Sequence, residues 1–343
     1  MRIATYGVGS IGTIVSALLT KAGHDVDLFD AMAENVAALN RNGATITGAL
    51  ELNVPVKAFL PQDMQGPYDL VVLMTKQTSN AEALPALLPH LTAASTVCTL
   101  QNGIPEESVA AVVGEARTVG GTVGFGATWL RPGVSQLTSK ADSFAKYAFD
   151  IGEINGKLTP RIRKVQKILG AVGGTGIVDN LMGIRWSKLL ANATFSGMSA
   201  ALGCTFGEVL DDSKAMTALA HIANEAILVC HSKGYRMAEL LGLDLEKLAI
   251  AGKADIPDRM AYYHQVWDNH RALKASMLQD LEKGRPCEID YINGVVVKNG
   301  QAAGIPTPFN GKVVELVKEA EARRGVNDMS YLARFDAIIA AAK

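Results

Sequence analysis

Three glycines near the amino terminus constrain the fold more than any other feature of the sequence. They follow a short apolar segment, Arg2–Tyr6, and open a helix-length stretch that runs to about Ala22. Their spacing is G-x-G-x-x-G, and between a strand and a helix this pattern is typical of a turn that holds the pyrophosphate of a dinucleotide. The alternative is an ordinary strand–helix turn. The residues predicted to bind a cofactor here are Gly7, Val8, Gly9, Ser10, Ile11 and Gly12.

An acidic residue follows the second predicted strand, Asp25–Phe29. A carboxylate at Asp30 can accept hydrogen bonds from the ribose hydroxyls of NAD, and it would repel the 2′-phosphate of NADP. Its neighbours Phe29 and Ala31 offer no positive charge for that phosphate. The sequence therefore favours NAD(H) and leaves NADP(H) open; the other reading of Asp30 is a helix cap or turn residue.

Strand and helix signals alternate through the first half of the chain. Tyr68–Thr75 and Ser95–Leu100 are continuous apolar runs of the kind found in buried parallel strands. Alternating strands and helices predict an α/β, doubly wound sheet. Between Arg117 and Asp179, glycine-rich segments predict further strands, some antiparallel, that close this sheet.

Helical periodicity dominates after about Asn180, and strand signals nearly vanish. We therefore predict two domains: a dinucleotide-binding α/β domain over residues 1–179 and an all-α substrate and catalytic domain over residues 180–343. A helix near Pro160–Leu169 and a last strand near Gly176–Val178 complete the first of them.

Charge and cysteine usage limit the partners. The formal net charge is −1 and the basic residues are dispersed, which favours neither nucleic acid nor an anionic membrane as partner. No apolar run has the length of a membrane span, and the amino terminus does not resemble a signal peptide. The cysteines stand far apart, so no metal site is predicted and we expect reduced, mostly buried thiols. These features predict a cytoplasmic protein with a small-molecule substrate.

Two polar residues follow the apolar strands. Lys76 comes after the run ending at Thr75, and Asn102 belongs to the sequence QNG at 101–103. Ligands of open α/β sheets bind beyond the carboxyl ends of the strands, so either side chain is placed for a cofactor or for a substrate beside it. The alternative for each is a solvated loop residue.

A polar stripe lies on the first helix of the second domain. Steps of four, four and three residues place Lys188, Asn192, Ser196 and Ser199 on one helical face. A solvated helical face is expected to carry several charges, whereas this apolar helix carries a lone lysine in its polar stripe. A solvated face is nevertheless the alternative.

A second candidate region runs from Ser276 to Gly294. Its first helix is predicted to end near Gly284, and Arg285-Pro286 forces a break. Glu288 is then predicted near the start of the next helix, where the helix dipole favours a carboxylate. The alternative is a first-turn acid with no chemical role.

Together these segments resemble the ketopantoate reductase (2-dehydropantoate 2-reductase) family. The resemblance rests on GVGSIG at 7–12, Thr75-Lys76, QNG at 101–103, WSKLLANA at 186–193 and SMLQD…EIDYINGVVV at 276–297. It implies a Rossmann domain joined to a 6-phosphogluconate-dehydrogenase-like helical domain, with the active site in the cleft between them. It also implies reduction of a 2-keto acid to the D-2-hydroxy acid, as in pantothenate biosynthesis.

The resemblance assigns roles residue by residue. Lys188 matches the catalytic lysine, which polarises the keto oxygen and protonates the developing alkoxide. Glu288 matches an acid that orients this lysine or holds a substrate hydroxyl, and it also borders the cofactor. The implied substrate-binding residues are Asn102, Asn192, Ser196 and Ser276. Lys76 and Asn102 join the glycine turn and Asp30 on the cofactor side.

Several positions depart from the family pattern. Ser196, Phe206 and Leu273 stand where asparagines are usual, and Asp30 stands where a basic residue for NADP is usual. These departures favour an NADH-dependent D-2-hydroxyacid dehydrogenase for branched or aromatic 2-keto acids, and ketopantoate remains an equal competitor. A different class, a non-catalytic nicotinamide-binding regulatory protein, would not need Lys188 or Glu288.

The chain also extends beyond the usual end of the family. Residues 329–343 predict one extra amphipathic helix that covers the core or a partner subunit, and a homodimer is left open.

Overall fold

The computed structural model describes residues 1–240 and 242–342. The chain forms two compact units, Met1–Leu181 and Met182–Lys343. The sequence placed the domain boundary after residue 179, two positions before the end of the first unit.

Unit 1 contains two sheets. Its strands are β1 (Arg2–Tyr6), β2 (Asp25–Phe29), β3 (Ala44–Gly48), β4 (Leu52–Val54), β5 (Lys57–Phe59), β6 (Leu70–Leu73), β7 (Thr96–Thr99), β8 (Thr118–Val123), β9 (Ala127–Arg131), β10 (Val134–Leu137), β11 (Phe149–Gly152) and β12 (Thr175–Ile177). Its helices are α1 (Ser10–Lys21), α2 (Ala33–Asn42), α3 (Asn80–Leu87), α4 (Glu106–Val113), α5 (Ala141–Tyr147) and α6 (Pro160–Leu169).

The main sheet has eight strands in the order β12-β11-β8-β7-β6-β1-β2-β5. All neighbours pair in parallel except β8 and β11, which are antiparallel. Both faces of this sheet are covered: Leu70 and Val72 belong to one buried cluster, whereas Val71 and Leu73 belong to the other. Burial on both faces explains why the central strands read as continuous apolar runs.

The sequence prediction was wrong about β9 and β10, which do not join the main sheet. They form a separate four-stranded sheet in the order β4-β3-β10-β9. Helix α1 packs against strands of both sheets, and its residues from Gly12 to Leu19 are all buried. A helix covered on opposite sides needs no polar face, which accounts for its apolar sequence. The short strands β3 and β4 carry too little apolar pattern to reveal this second sheet.

Unit 2 is helical. It comprises α7 (Leu181–Ala191), a π-helical turn (Asn192–Ser196), α8 (Gly197–Leu202), α9 (Phe206–Asp211), α10 (Ser213–Ser232), α11 (Ile256–Trp267), α12 (Ser276–Glu282), α13 (Asn293–Ala303), α14 (Pro308–Ala322) and α15 (Asp336–Ala341). Within the described residues, its β-structure is limited to an isolated bridge between Leu240 and Leu243.

The carboxyl-terminal extension differs from the single predicted helix. Met329–Phe335 forms 3₁₀ turns, and α15 is a separate short helix; residue 343 lies outside the described residues. Leu332 and Phe335 are buried against α8 and α14, so the extension covers the core of its own unit.

The four cysteines are buried thiols that form no disulfide. Burial raises the pKa of Cys204, Cys230 and Cys287 to about 12, which keeps these thiols protonated and unreactive at neutral pH. Among the described helices, none has both the length and the apolar character needed to cross a bilayer.

Candidate active site

The three glycines of the turn after β1 differ in what surrounds them. Gly7 has φ +97°, and a Cβ there would lie 2.5 Å from the backbone nitrogen of Thr75. A Cβ on Gly12 would collide with the carbonyl oxygen of Gly7. Gly9, the N-cap of α1, has nothing within 4 Å of its Cβ position. Two glycines therefore permit close packing, and the third leaves open space beside the first N–H groups of a helix, which suits an anion.

Asp30 holds this turn in place. Its Oδ2 accepts a hydrogen bond from the backbone N–H of Val8 at 3.0 Å, and its Oδ1 accepts one from Met32 at 2.8 Å. Asp30 therefore acts as a turn residue, which was the alternative interpretation of its position in the sequence. Each carboxylate oxygen can accept a second hydrogen bond, so recognition of a ribose hydroxyl remains chemically compatible.

Asn35, on α2, is a supporting residue that the sequence analysis missed. It is only 2% exposed, donates to the carbonyl of Val8 at 3.0 Å and accepts from the N–H of Gly133 at 2.8 Å. It thereby ties the glycine turn to the β9–β10 hairpin. An asparagine inside an amphipathic helix gives no sequence signal for such a role.

Lys76 and Asn102 follow neighbouring strands, β6 and β7. Since β6 also pairs with β1, both residues lie on the same sheet edge as the glycine turn. Lys76 is exposed and Asn102 is half-buried. Gln77 donates to the carbonyl of Asn102 at 2.6 Å, and Gln101 donates to the carbonyl of Thr75 at 3.0 Å. These buried glutamines fix the two strand ends.

Unit 2 carries a narrow accessible stripe on an otherwise buried helical segment. Between Leu181 and Leu202 only five positions are not buried. They are Ile184, Lys188, Ala191, Asn192 and Ser196. Three of the four predicted stripe residues therefore share one accessible face.

The π-helical turn maintains this alignment. In an α-helix each four-residue step drifts by about 40° around the axis. A π turn has more residues per turn, so its four-residue step from Asn192 to Ser196 falls short of a full turn and offsets the drift between Lys188 and Asn192. The hydroxyl of Thr194 donates to the carbonyls of Leu190 at 2.8 Å and Ala191 at 3.1 Å, which satisfies acceptors where the helical pattern changes.

Ser199 was wrongly placed on the stripe. It is 0% exposed, its hydroxyl donates to the carbonyl of Cys204 at 2.6 Å, and it accepts from the N–H of Ala275 at 3.3 Å. Helix α8 is buried along its length, so a residue on it has no open face to share with Lys188.

Glu288 and Ser276 lie on other segments of unit 2. Glu288 is half-buried and precedes a three-residue 3₁₀ turn, Ile289–Tyr291; the next α-helix begins only at Asn293, later than predicted. The N–H of Cys287 donates to Glu321 at 2.8 Å and anchors this segment. Ser276 is exposed as the first residue of α12. Neither residue belongs to the stripe on α7, and their roles remain predictions.

The positions that depart from the family pattern have different environments. Phe206 is 5% exposed, and its ring lies 5.5 Å from that of Phe195 and 5.7 Å from that of Trp267. Leu273 is 49% exposed. Phe206 therefore contributes to an aromatic core beneath the π turn, a role that an asparagine could not fill.

An apolar cavity of about 30 Å³ lies beside the stripe within unit 2. Ala191 and Thr194 form part of its wall, and the rest consists mainly of large apolar side chains. These are Leu190, Leu240, Leu243, Leu245, Leu248, Tyr262, Tyr263 and Trp267. Among the described residues, no three or more His, Cys, Asp or Glu side chains are grouped so that they could hold a metal ion.

The parallel sheet with its glycine turn, followed by a helical unit, defines a Rossmann-type oxidoreductase. The family described as "Ketopantoate reductase PanE/ApbA" matches residues 3–148, and its carboxyl-terminal counterpart matches residues 180–321. The chain belongs to the ketopantoate reductase family and is an oxidoreductase of the type that acts on CH–OH groups. The resemblance and the fold class predicted from the sequence are thereby confirmed.

Similar proteins span nearly the whole chain. A 2-dehydropantoate 2-reductase of Pyrococcus abyssi is 29% identical over 326 residues, covering 95% of this chain and 99% of that protein. One of Mesorhizobium japonicum is 28% identical over 342 residues, with the same coverage.

Among solved structures, D-mandelate dehydrogenase with NADH and anilino(oxo)acetate has a TM-score of 0.80 at 24% identity, covering 94% of this chain and 99% of that one. The 2-dehydropantoate 2-reductase of Geobacter metallireducens GS-15 has a TM-score of 0.77 at 26% identity, covering 93% and 100%.

The different surroundings of the glycines give a paired prediction. We expect Gly9→Ala to weaken NADH binding at least about tenfold, measured by fluorescence titration, because its methyl group occupies the open space. Its unfolding temperature should stay close to that of the wild type. Gly12→Ala should lower the unfolding temperature, because its methyl group meets the carbonyl of Gly7. Unchanged NADH affinity in Gly9→Ala would show that this space does not receive the cofactor.

Proposed function

We propose that this chain reduces a small 2-keto acid to the D-2-hydroxy acid with a reduced nicotinamide dinucleotide, as a reductase of the 2-dehydropantoate 2-reductase type. The observation that carries the proposal is the accessible stripe of Lys188, Asn192 and Ser196 on a helix that is otherwise buried. An ammonium group, an amide and a hydroxyl on one face suit a keto acid, whose oxygens all accept hydrogen bonds.

The residues of unit 1 fit a dinucleotide. The open space at Gly9 beside the start of α1 suits a pyrophosphate, and Lys76 and Asn102 lie on the same sheet edge. The carboxylate of Asp30 favours NADH, because it would repel the 2′-phosphate of NADPH. The related D-mandelate dehydrogenase structures contain NADH, which supports a nicotinamide cofactor in this fold.

The proposed chemistry assigns one task to each group. A bound reduced nicotinamide supplies the hydride that converts the keto carbon to a CH–OH carbon. Lys188, as ammonium, polarises the keto oxygen and transfers a proton to it as negative charge develops there. Asn192 and Ser196 hold the substrate's oxygens, and Glu288 orients Lys188 or binds a substrate hydroxyl.

Ketopantoate and an apolar 2-keto acid remain competing substrates. The family and the curated relatives favour ketopantoate. The serine at position 196, where the family usually has an asparagine, and the similarity to D-mandelate dehydrogenase support a substrate with an apolar side chain, as in the NADH-dependent D-2-hydroxyacid dehydrogenases. Oxidation of NADH and NADPH should be followed in parallel with ketopantoate and with branched and aromatic 2-keto acids. Cofactor binding without turnover of any of these acids would instead support a regulatory, non-catalytic protein.

The role of Lys188 can be separated from cofactor binding. We expect Lys188→Ala to lower kcat at least about 100-fold, the usual contribution of a general acid, with little change in NADH affinity. Lys167→Ala, which removes an exposed lysine from α6, is the matched control and should keep wild-type kcat. Equal losses of kcat and NADH affinity in Lys188→Ala would exclude the proposed acid role.

Asp30 offers a test of cofactor preference. We expect Asp30→Arg to shift the ratio of kcat/KM values from NADH towards NADPH, because it replaces a repulsive charge with one that attracts the 2′-phosphate. It should also destabilise the protein by about 1–3 kcal/mol, because the N–H of Val8 loses a charged acceptor. Asp30→Asn keeps an oxygen acceptor and should retain most of that stability. An unchanged cofactor ratio in Asp30→Arg would mean that residue 30 does not face the ribose.

A further inference from the structure

A buried chain of hydrogen bonds connects four segments of unit 2. Glu225, on α10, accepts from the backbone N–H groups of Phe309 and Asn310 at 2.9 Å each, at the start of α14. The side-chain amide of Asn310 donates to Glu225 at 2.7 Å and to the carbonyl of Ile222 at 3.1 Å. Burial raises the pKa of Glu225 to about 7, and the N–H donors of Phe309 and Asn310 oppose that rise.

Asn293 extends this chain to the π turn. Its amide nitrogen donates to Oδ1 of Asn310 and to the carbonyl oxygen of Ala193, both at 2.9 Å. Asn293 and Asn310 are each 0% exposed. The orientation of both amides is fixed, because the amide of Asn310 bonds the carbonyl of Ile222 and the amide of Asn293 bonds that of Ala193, and backbone carbonyls can only accept hydrogen bonds.

Asn293 therefore contacts the segment that carries the stripe, and it follows shortly after Glu288 in the chain. Ala193 is the residue after Asn192 within the π turn. Asn293 begins α13 directly after the turn that Glu288 opens. One side chain thus links the two stretches of unit 2 that hold the proposed catalytic lysine and acid.

We infer that Asn293 is a positioning residue for the reaction, which sets the π turn and its stripe against the segment of Glu288. This inference rests on the proposed function. Gly197 gives a second, independent observation: a Cβ there would lie 2.7 Å from Oδ1 of Asn293. Because Gly197 has no side chain, the amide of Asn293 can pack closely against the helix there.

The test compares Asn293→Leu with Val296→Ala. Leucine has a similar size but no donor, so the carbonyl of Ala193 loses its bond to α13. Val296 is a buried residue one turn further along α13 and serves as the control for general destabilisation. We expect Asn293→Leu to lower kcat/KM about 100-fold, the scale of a misplacement by about 1 Å, with a raised KM for the keto acid. NADH affinity should change much less than the KM for the keto acid, because the glycine turn belongs to unit 1.

Destabilisation alone reduces the active fraction and leaves KM unchanged, so Val296→Ala should keep wild-type KM. Gly197→Ala should show the same raised KM as Asn293→Leu, and it replaces that variant if leucine prevents folding. A wild-type KM in both Asn293→Leu and Gly197→Ala would overturn the inference.

Amide hydrogen exchange gives a readout that does not need turnover. Peptides covering residues 188–200 should exchange faster in Asn293→Leu than in Val296→Ala when both are compared with the wild type. If the wild type reduces no 2-keto acid, the proposed function fails, and equal exchange in the two variants then separately refutes the link between Asn293 and the π turn.

Discussion

The close approach of α1 to the end of β1 is the contact on which unit 1 depends. A Cβ on Gly12 would overlap the carbonyl of Gly7, so the helix can leave the strand at this angle only without a side chain there. The same geometry brings α1 between the main sheet and the smaller sheet and directs its first N–H groups past Gly9. Packing of the core and a place for an anion thus follow from one steric constraint.

Several features could be predicted because their signals are local. The apolar runs of β6 and β7, the glycine turn and the capped helix Pro160–Leu169 are encoded by neighbouring residues. The second sheet was missed, since β3 pairs with β10 from a distant part of the chain and neither strand is long. Pairing between distant segments leaves little trace in a single sequence.

In the candidate site, too, the features with local signals were predicted and those that depend on distant residues were missed. Helical periodicity predicted that Lys188, Asn192 and Ser196 share a face, but it extended that face to Ser199, because it assumed an uninterrupted α-helix. The supporting residues Asn35, Gln77 and Asn293 were missed. Each is a buried amide that forms hydrogen bonds with residues of other elements. The sequence around a polar residue in a helix or loop does not indicate which distant residues it will bond.

The π turn lets this segment hold one residue more than an α-helix would. Five residues of π-helix rotate the chain by about as much as four residues of α-helix, so α8 keeps nearly the same rotation about the helix axis relative to α7. The ring of Phe195 packs against Trp267 within this turn, and the hydroxyl of Ser199 bonds the carbonyl of Cys204 after it. Deleting one residue from this turn would therefore remove the π geometry with little rotation of α8, and the change would be confined to the surroundings of Asn192 and Ser196.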